Sequence, residues 1–138
     1  MAFTGNFTCD VFKTGLMNGD FDFSTDTFYM ALYTNAATLD ASTTAYTSTG
    51  EVVASGYSAQ ALTVSQTPTL GGSGNTAYIS FNNQTWSSAL TARGALIYKA
   101  GANGAVCVLD FGSNKTSSTT FTVEFPASTN TSAIIRIA

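Results

Sequence analysis

The chain has 138 residues and a formal net charge of −3, with 44% apolar residues, only 9% charged residues and no His. The missing His excludes a Ser-His-Asp triad, a Cys-His dyad, an imidazole metal ligand and the usual proton shuttle near neutral pH. Five dispersed cations and a pI near 4.4 provide no clustered charge for a phosphate groove, and no apolar run approaches the ~20 residues that span a bilayer.

Nucleic acid and membrane are therefore not expected partners. Polarity comes from 23 Thr and 15 Ser instead of charge. Low charge with few hydrophobics would indicate disorder, but the apolar content and the ten Phe and six Tyr do not fit that class. Thr and aromatic side chains suit a pleated, half-buried surface, so the composition points to β structure. The start, Met1-Ala2-Phe3-Thr4-Gly5-Asn6, lacks a basic n-region and an apolar h-region, and no signal peptide is expected.

In chain order, Phe3 and Phe7 lie in an N-terminal stretch, residues 1–7, read as an extended arm; a disordered terminus is the alternative. Thr8 to Gly19 is the one helix candidate. Cys9, Phe12 and Leu16 form its apolar stripe, Thr8 is the expected cap, and Asn18-Gly19 the stop. Gly15 should weaken its middle by about 1 kcal/mol relative to Ala. Asp20, Asp22 and Asp26 follow, but an EF-hand reading fails because Thr25 and Ala31 stand where Gly and Glu are required. That segment is expected to be a turn.

Thr27 to Thr34 is apolar on both faces, as in a central strand. Asn35 to Gly50 reads as a long ordered loop with Leu39 and Tyr46 as its only large apolar anchors. Glu51 to Val64 holds extended pieces broken at Gly56, and Gly71 to Asn75 is a connection. Ala77 to Asn82 alternates. Gly94 to Lys99, the turn Ala102-Asn103-Gly104, and Ala105 to Phe111 read as a hairpin whose second strand stops at Gly112. Thr120 to Phe125 places Phe121, Val123 and Phe125 inward before Pro126, and Ala133 to Ala138 is a terminal strand, apolar except for Arg136.

Seven to eight short strands with frequent turns predict one mainly β domain over residues 1–138. Its expected architecture is an antiparallel β-sandwich, jelly-roll-like, with one short N-terminal helix. Cys9 and Cys107 are expected as buried thiols, since disulfides accompany secretion. The four Asn-X-Ser/Thr matches are near chance for nine Asn in a Ser/Thr-rich chain. Gly71-Gly72-Ser73-Gly74 lacks the Lys of a phosphate loop. Carboxylates are the only plausible catalytic pair, and the sequence places no two together.

Several blocks recur in a familiar order: Ala31 to Leu39, Thr44 to Thr47, Gly50-Glu51-Val52, Gly56-Tyr57, Ala92 to Tyr98 and Val108 to Gly112. Together they resemble a family of small tailed-bacteriophage structural proteins, over roughly Phe12 to Pro126. Where the family pattern has a Gly-Gly pair after the Gly-Tyr block, this chain has Ala59-Gln60-Ala61.

The resemblance implies a non-enzymatic virion component without a cofactor. In first place it implies a capsid decoration or cement protein on the head exterior, bound to the major capsid protein after assembly in the host cytoplasm. Such proteins often occupy three-fold junctions, so a homo-oligomer, specifically a trimer, is the expectation. Phe3 and Phe7 of the arm, with Leu39 and Tyr46 of the long loop, are then the candidate interface. For the loop the alternative is packing within the chain around Tyr46. The alternative function is a tail or head-fibre module that binds host-surface glycan through Tyr46, Tyr57 or Trp86, or a head–tail joining component. Core packing is the competing reading of Trp86.

Overall fold

Two long neighbouring strands, each apolar on both faces in its buried part, set the architecture. The computed structural model describes residues 3–72 and 74–138. Its strands in chain order are β1 (Phe7–Thr8), β2 (Phe28–Tyr33), β3 (Gln60–Ala61), β4 (Val64–Leu70), β5 (Ala77–Phe81), β6 (Gln84–Trp86), β7 (Thr91–Lys99), β8 (Ala105–Thr116), β9 (Phe121–Val123) and β10 (Ile135–Ile137). One helix, α1, covers Asp10–Asn18. A five-stranded sheet runs β1-β8-β7-β2-β3, a three-stranded sheet runs β10-β5-β4, and β6 pairs β9. Every pairing is antiparallel. The fold is mainly β and sandwich-like, with one short helix, as the composition predicts.

The β7–β8 hairpin closes as the sequence indicates. Asn103 adopts a positive φ of 56°, and the Lys99 N–H donates to the Gly104 carbonyl at 2.7 Å. A Cβ on Gly104 would lie 1.8 Å from the Lys99 carbonyl oxygen, so only glycine fits there. β8 does not stop at Gly112 but continues to Thr116. Gly112 takes a φ of 82° inside a bulge, where the register jumps from Gly94↔Asp110 to Ala92↔Lys115. The strand bends at its glycine instead of ending.

In β2, Phe28, Met30 and Leu32 point to one side and Tyr29, Ala31 and Tyr33 to the other, and all but Tyr29 are fully buried. Each face is therefore covered. On the first, Phe28 stacks on Phe23 (centroids 4.5 Å apart) and meets Phe81 of β5 at 6.3 Å, which joins the two larger sheets. Phe12 of α1 packs edge-on against Phe21 and Phe23 at 5.0 and 5.9 Å. The second face is covered by residues 35–50. Tyr46 stacks on Tyr98 at 5.0 Å, the Tyr33 hydroxyl donates to the Thr47 carbonyl at 2.7 Å, and the Ala105 N–H donates to the Thr44 carbonyl at 3.0 Å.

The helix begins later than predicted. Thr8 belongs to β1, opposite Cys107, and Cys9 is the N-cap without a side-chain cap bond. The stop is as expected: Gly19 is left-handed (φ 79°), its N–H donates to the Leu16 carbonyl, and the Asp20 N–H donates to that of Gly15. The chain then turns at once, with Lys99 holding the turn by donating to the Asp20 carbonyl and the Asp26 carboxylate. β4 and β6 are additional short strands with weak sequence signals. β4 is an edge strand, which accommodates Pro68 and two register shifts.

Gly15 is not the weak point that helix propensity implies. A Cβ there would sit 2.4 Å from the Phe21 ring, so the glycine makes room for the ring that closes the helix onto the sheet. Gly15→Ala is therefore expected to destabilise the protein by about 1–3 kcal/mol, the usual range for overpacking, despite its better propensity. Chemical denaturation followed by the fluorescence of Trp86 measures it, and a more stable variant would refute this account.

Candidate functional site

The structure separates the residues singled out from sequence into buried and accessible groups. Phe3 is only 3% exposed and packs on Gly94, where a Cβ would come within 2.4 Å of its ring. Arg93 lies over the same ring at 5.7 Å and pairs with Asp110. The Asn6 Oδ1 accepts the Asp110 N–H at 2.6 Å, and Phe7 pairs with Val108 at the sheet edge. From Phe3 onward the expected arm is thus extended but folded onto its own sheet. Apolar burial, one cation–π contact and an ion pair hold it there. Leu39 is 3% exposed beneath the long loop. Neither Phe3 nor Leu39 is at the surface for a second chain to touch.

Tyr46 differs from these, being 41% exposed. Its hydroxyl donates to both Glu51 oxygens, at 2.7 and 3.1 Å, and the bond to that carboxylate raises the phenol above its usual pKa. Tyr46, Tyr98 and Tyr29 form a stacked row, with Tyr29 and Tyr98 5.6 Å apart. Burial pushes the Tyr98 phenol up to about 12. Within this row the loop packs intramolecularly around Tyr46 and still leaves one ring edge in solvent.

Tyr57 and Trp86 lie together, 6.2 Å apart, but they face inward. Trp86 is fully buried, and its indole N–H donates to the Ser58 carbonyl at 2.8 Å. The Tyr57 hydroxyl accepts the Leu32 N–H at 2.8 Å, and burial raises its phenol well above the ordinary range. A sugar has no ring face to stack on at Trp86, whose partners are Tyr57 and Phe121. Trp86 is a core residue.

The acidic turn and the thiols have structural roles. Asp26 accepts the Asp22 N–H and the Lys99 ammonium, and that ammonium holds its carboxyl below the usual range. Among the described residues, no cluster of three or more His, Cys, Asp or Glu is arranged to hold a metal. Cys107 pairs with Thr8, the residue that precedes Cys9. Both thiols are free and buried, and burial raises them to about 11 and about 12. Among the described residues, no helix is long and apolar enough to cross a membrane.

The accessible apolar surface lies elsewhere. Val53, Met17, Leu70 and Ile137 are 97%, 91%, 67% and 56% exposed. Met17 and Ile137 line a groove of about 800 Å³ between α1 and β10, with a neighbouring recess of about 370 Å³ that reaches Pro68 and Ile79. Sequence reading flagged the apolar terminal strand but not the groove, because α1 and β10 lie at opposite ends of the chain.

The chain matches no family model, no curated protein and no solved structure.

Asp110 offers a pH test of the clamp over the N-terminal segment. The Gly112 N–H and then Arg93 hold its carboxyl below the usual 3.8. A depressed carboxyl stabilises the fold fully above 3.8, and that contribution is lost as pH falls through the lower folded value. Asp110→Asn should therefore be less stable than wild type at neutral pH and flatter in its acid limb. Trp86 fluorescence against pH checks this, and parallel curves would refute it. The thiols give a second test: native protein should resist alkylation at mildly alkaline pH and take two labels in denaturant. Labelling of the native chain by mass spectrometry would contradict their burial.

Proposed function

We propose that this protein is a structural component of a bacteriophage virion, most specifically a decoration protein that binds the outer surface of the major capsid lattice and stabilises the head. The observation that carries the reading is the ordered resemblance, and the fold gives it physical coherence. Its blocks are Ala31–Leu39 in β2 and its following loop, Thr44–Thr47 over the second face, Gly50–Val52 alongside β2, Gly56-Tyr57 whose Tyr57 hydroxyl accepts the Leu32 N–H, Ala92–Tyr98 in β7 and Val108–Gly112 in β8. They are scattered in sequence yet adjoin one another in the five-stranded sheet and its covering loop.

The surface supports the same reading. A hydroxyl- and amide-rich exterior of low charge repels neighbours weakly, and so permits dense packing on a shell. Exposed Met17, Leu70 and Ile137 supply apolar contact of the kind found at the centre of interfaces. In this reading the protein works by burying surface at a junction between capsid subunits, and a trimer fits a three-fold junction. The glycan-binding alternative loses Trp86 as a platform, because that ring is buried.

Binding of purified protein to empty phage heads tests the proposal. Co-sedimentation should saturate at a fixed ratio to the major capsid protein, and decorated heads should survive higher temperature than bare ones. Localisation to the tail, or a single ring of copies per virion, would overturn it.

A further inference from the structure

The edge strand β10 borders an open seam in the sandwich. β10 is the outer strand of its sheet and pairs only with β5, through Ile135↔Ile79, Arg136↔Tyr78 and Ile137↔Ala77. One row of its backbone N–H and C=O groups therefore has no strand partner among the described residues. That row borders the groove of about 800 Å³, whose opposite wall is α1 with Thr8 and Cys107, and a recess of about 270 Å³ continues it past Pro126. The floor is apolar, with Phe12, Leu16 and Ile135.

The free charge at this seam is a cation. The chain has more acidic than basic side chains, yet the groove is lined by Arg136 and by Lys13, which pairs with Asp10 at 3.1 Å, and Asp22 enters only in the neighbouring recess that reaches Pro68. Arg136 donates to the Thr131 carbonyl and has no carboxylate partner among the described residues.

An unpaired strand edge, an apolar floor and one cation without a carboxylate partner, Arg136, together define one kind of occupant. We propose that the seam takes an extended segment of another polypeptide as a fourth strand on β10, with alternating apolar and acidic side chains. Its apolar side chains would enter the groove between α1 and Ile135, its backbone would complete the β10 row, and its carboxylates, on the opposite face, would meet Arg136. This is strand addition, in which main-chain bonds supply affinity and alternate side chains supply specificity. A second copy of the chain fits less well. Two-fold pairing of β10 with itself sets Arg136 opposite Arg136, and like charges directly opposite are destabilising. The inference deepens the assembly reading by naming the surface, and rests on it only for the source of the strand.

Two short synthetic peptides test the seam on the intact protein, one alternating Val and Glu, the other Val and Lys. The Val/Glu peptide should bind and slow amide exchange at residues 134–138, while the Val/Lys peptide should not. Arg136→Glu should reverse that preference, and Ile137→Asp should weaken Val/Glu binding about tenfold. Both positions are exposed, and unchanged Trp86 fluorescence would show that the variants fold. Lack of protection at β10, equal binding of the two peptides, or a β10-mediated dimer in sedimentation would overturn the inference. Head binding separates it from the assembly reading. If the peptide binds but heads do not, the seam stands and the capsid proposal falls. If heads bind wild type and Arg136→Glu equally and the two peptides show no preference, the seam is refuted and the capsid proposal stands.

Discussion

A sheet that is apolar on both faces must be covered twice, and most of this molecule follows from that constraint. β2 and β7 present no polar side in their buried stretches, so water has to be excluded above and below them. One cover is the aromatic cluster in which Phe12, Phe23, Phe28 and Phe81 bring together the helix, the turn and both larger sheets. The other is a loop without regular structure. Residues 35–50 form this lid, with Tyr46 on Tyr98 and with their carbonyls accepting from the Tyr33 hydroxyl and the Ala105 N–H. Long loops are uncommon in compact domains unless they have such work to do.

Charge is used sparingly and mostly at joints. Lys99 links the turn after α1 to the end of β7 through Asp26 and the Asp20 carbonyl. Arg93 links β7 to β8 through Asp110 and lies over the ring of Phe3. In both cases a cation also touches an aromatic ring, Phe21 for Lys99 and Phe3 for Arg93. Such an ammonium or guanidinium satisfies a carboxylate while its stem covers apolar surface. Lys13 and Arg136 line the groove beside β10; Lys13 pairs with Asp10, and Arg136 donates to the Thr131 carbonyl.

The long loop closes one face of the larger sheet, while the side of β10 retains an unpaired backbone row and accessible apolar side chains. Natural edge strands usually carry protection against indiscriminate pairing, and a charge is a common device. Arg136, in the middle of β10, blocks symmetric pairing while admitting a strand of opposite charge.

Much of the fold was legible in the sequence, because periodicity and turn chemistry are local. The two-faced run at Phe28–Tyr33, the Asn103-Gly104 turn, the Gly19 stop and the inward Phe121 and Val123 all come from near neighbours in the chain. Helix start, strand end and the purpose of certain glycines were not legible. Thr8 is drawn into β1 by Cys107, Gly112 bends β8 without ending it, and Gly15 is needed by the ring of Phe21. The candidate interface divided in the same way. The sequence by itself determined a sparsely charged β protein with large apolar anchors at Phe3, Leu39, Tyr46 and Trp86. Only the tertiary structure decided that three of these lie inside and that the accessible apolar groove lies between α1 and β10. Burial depends on what the other end of the chain places overhead, and no local pattern encodes it.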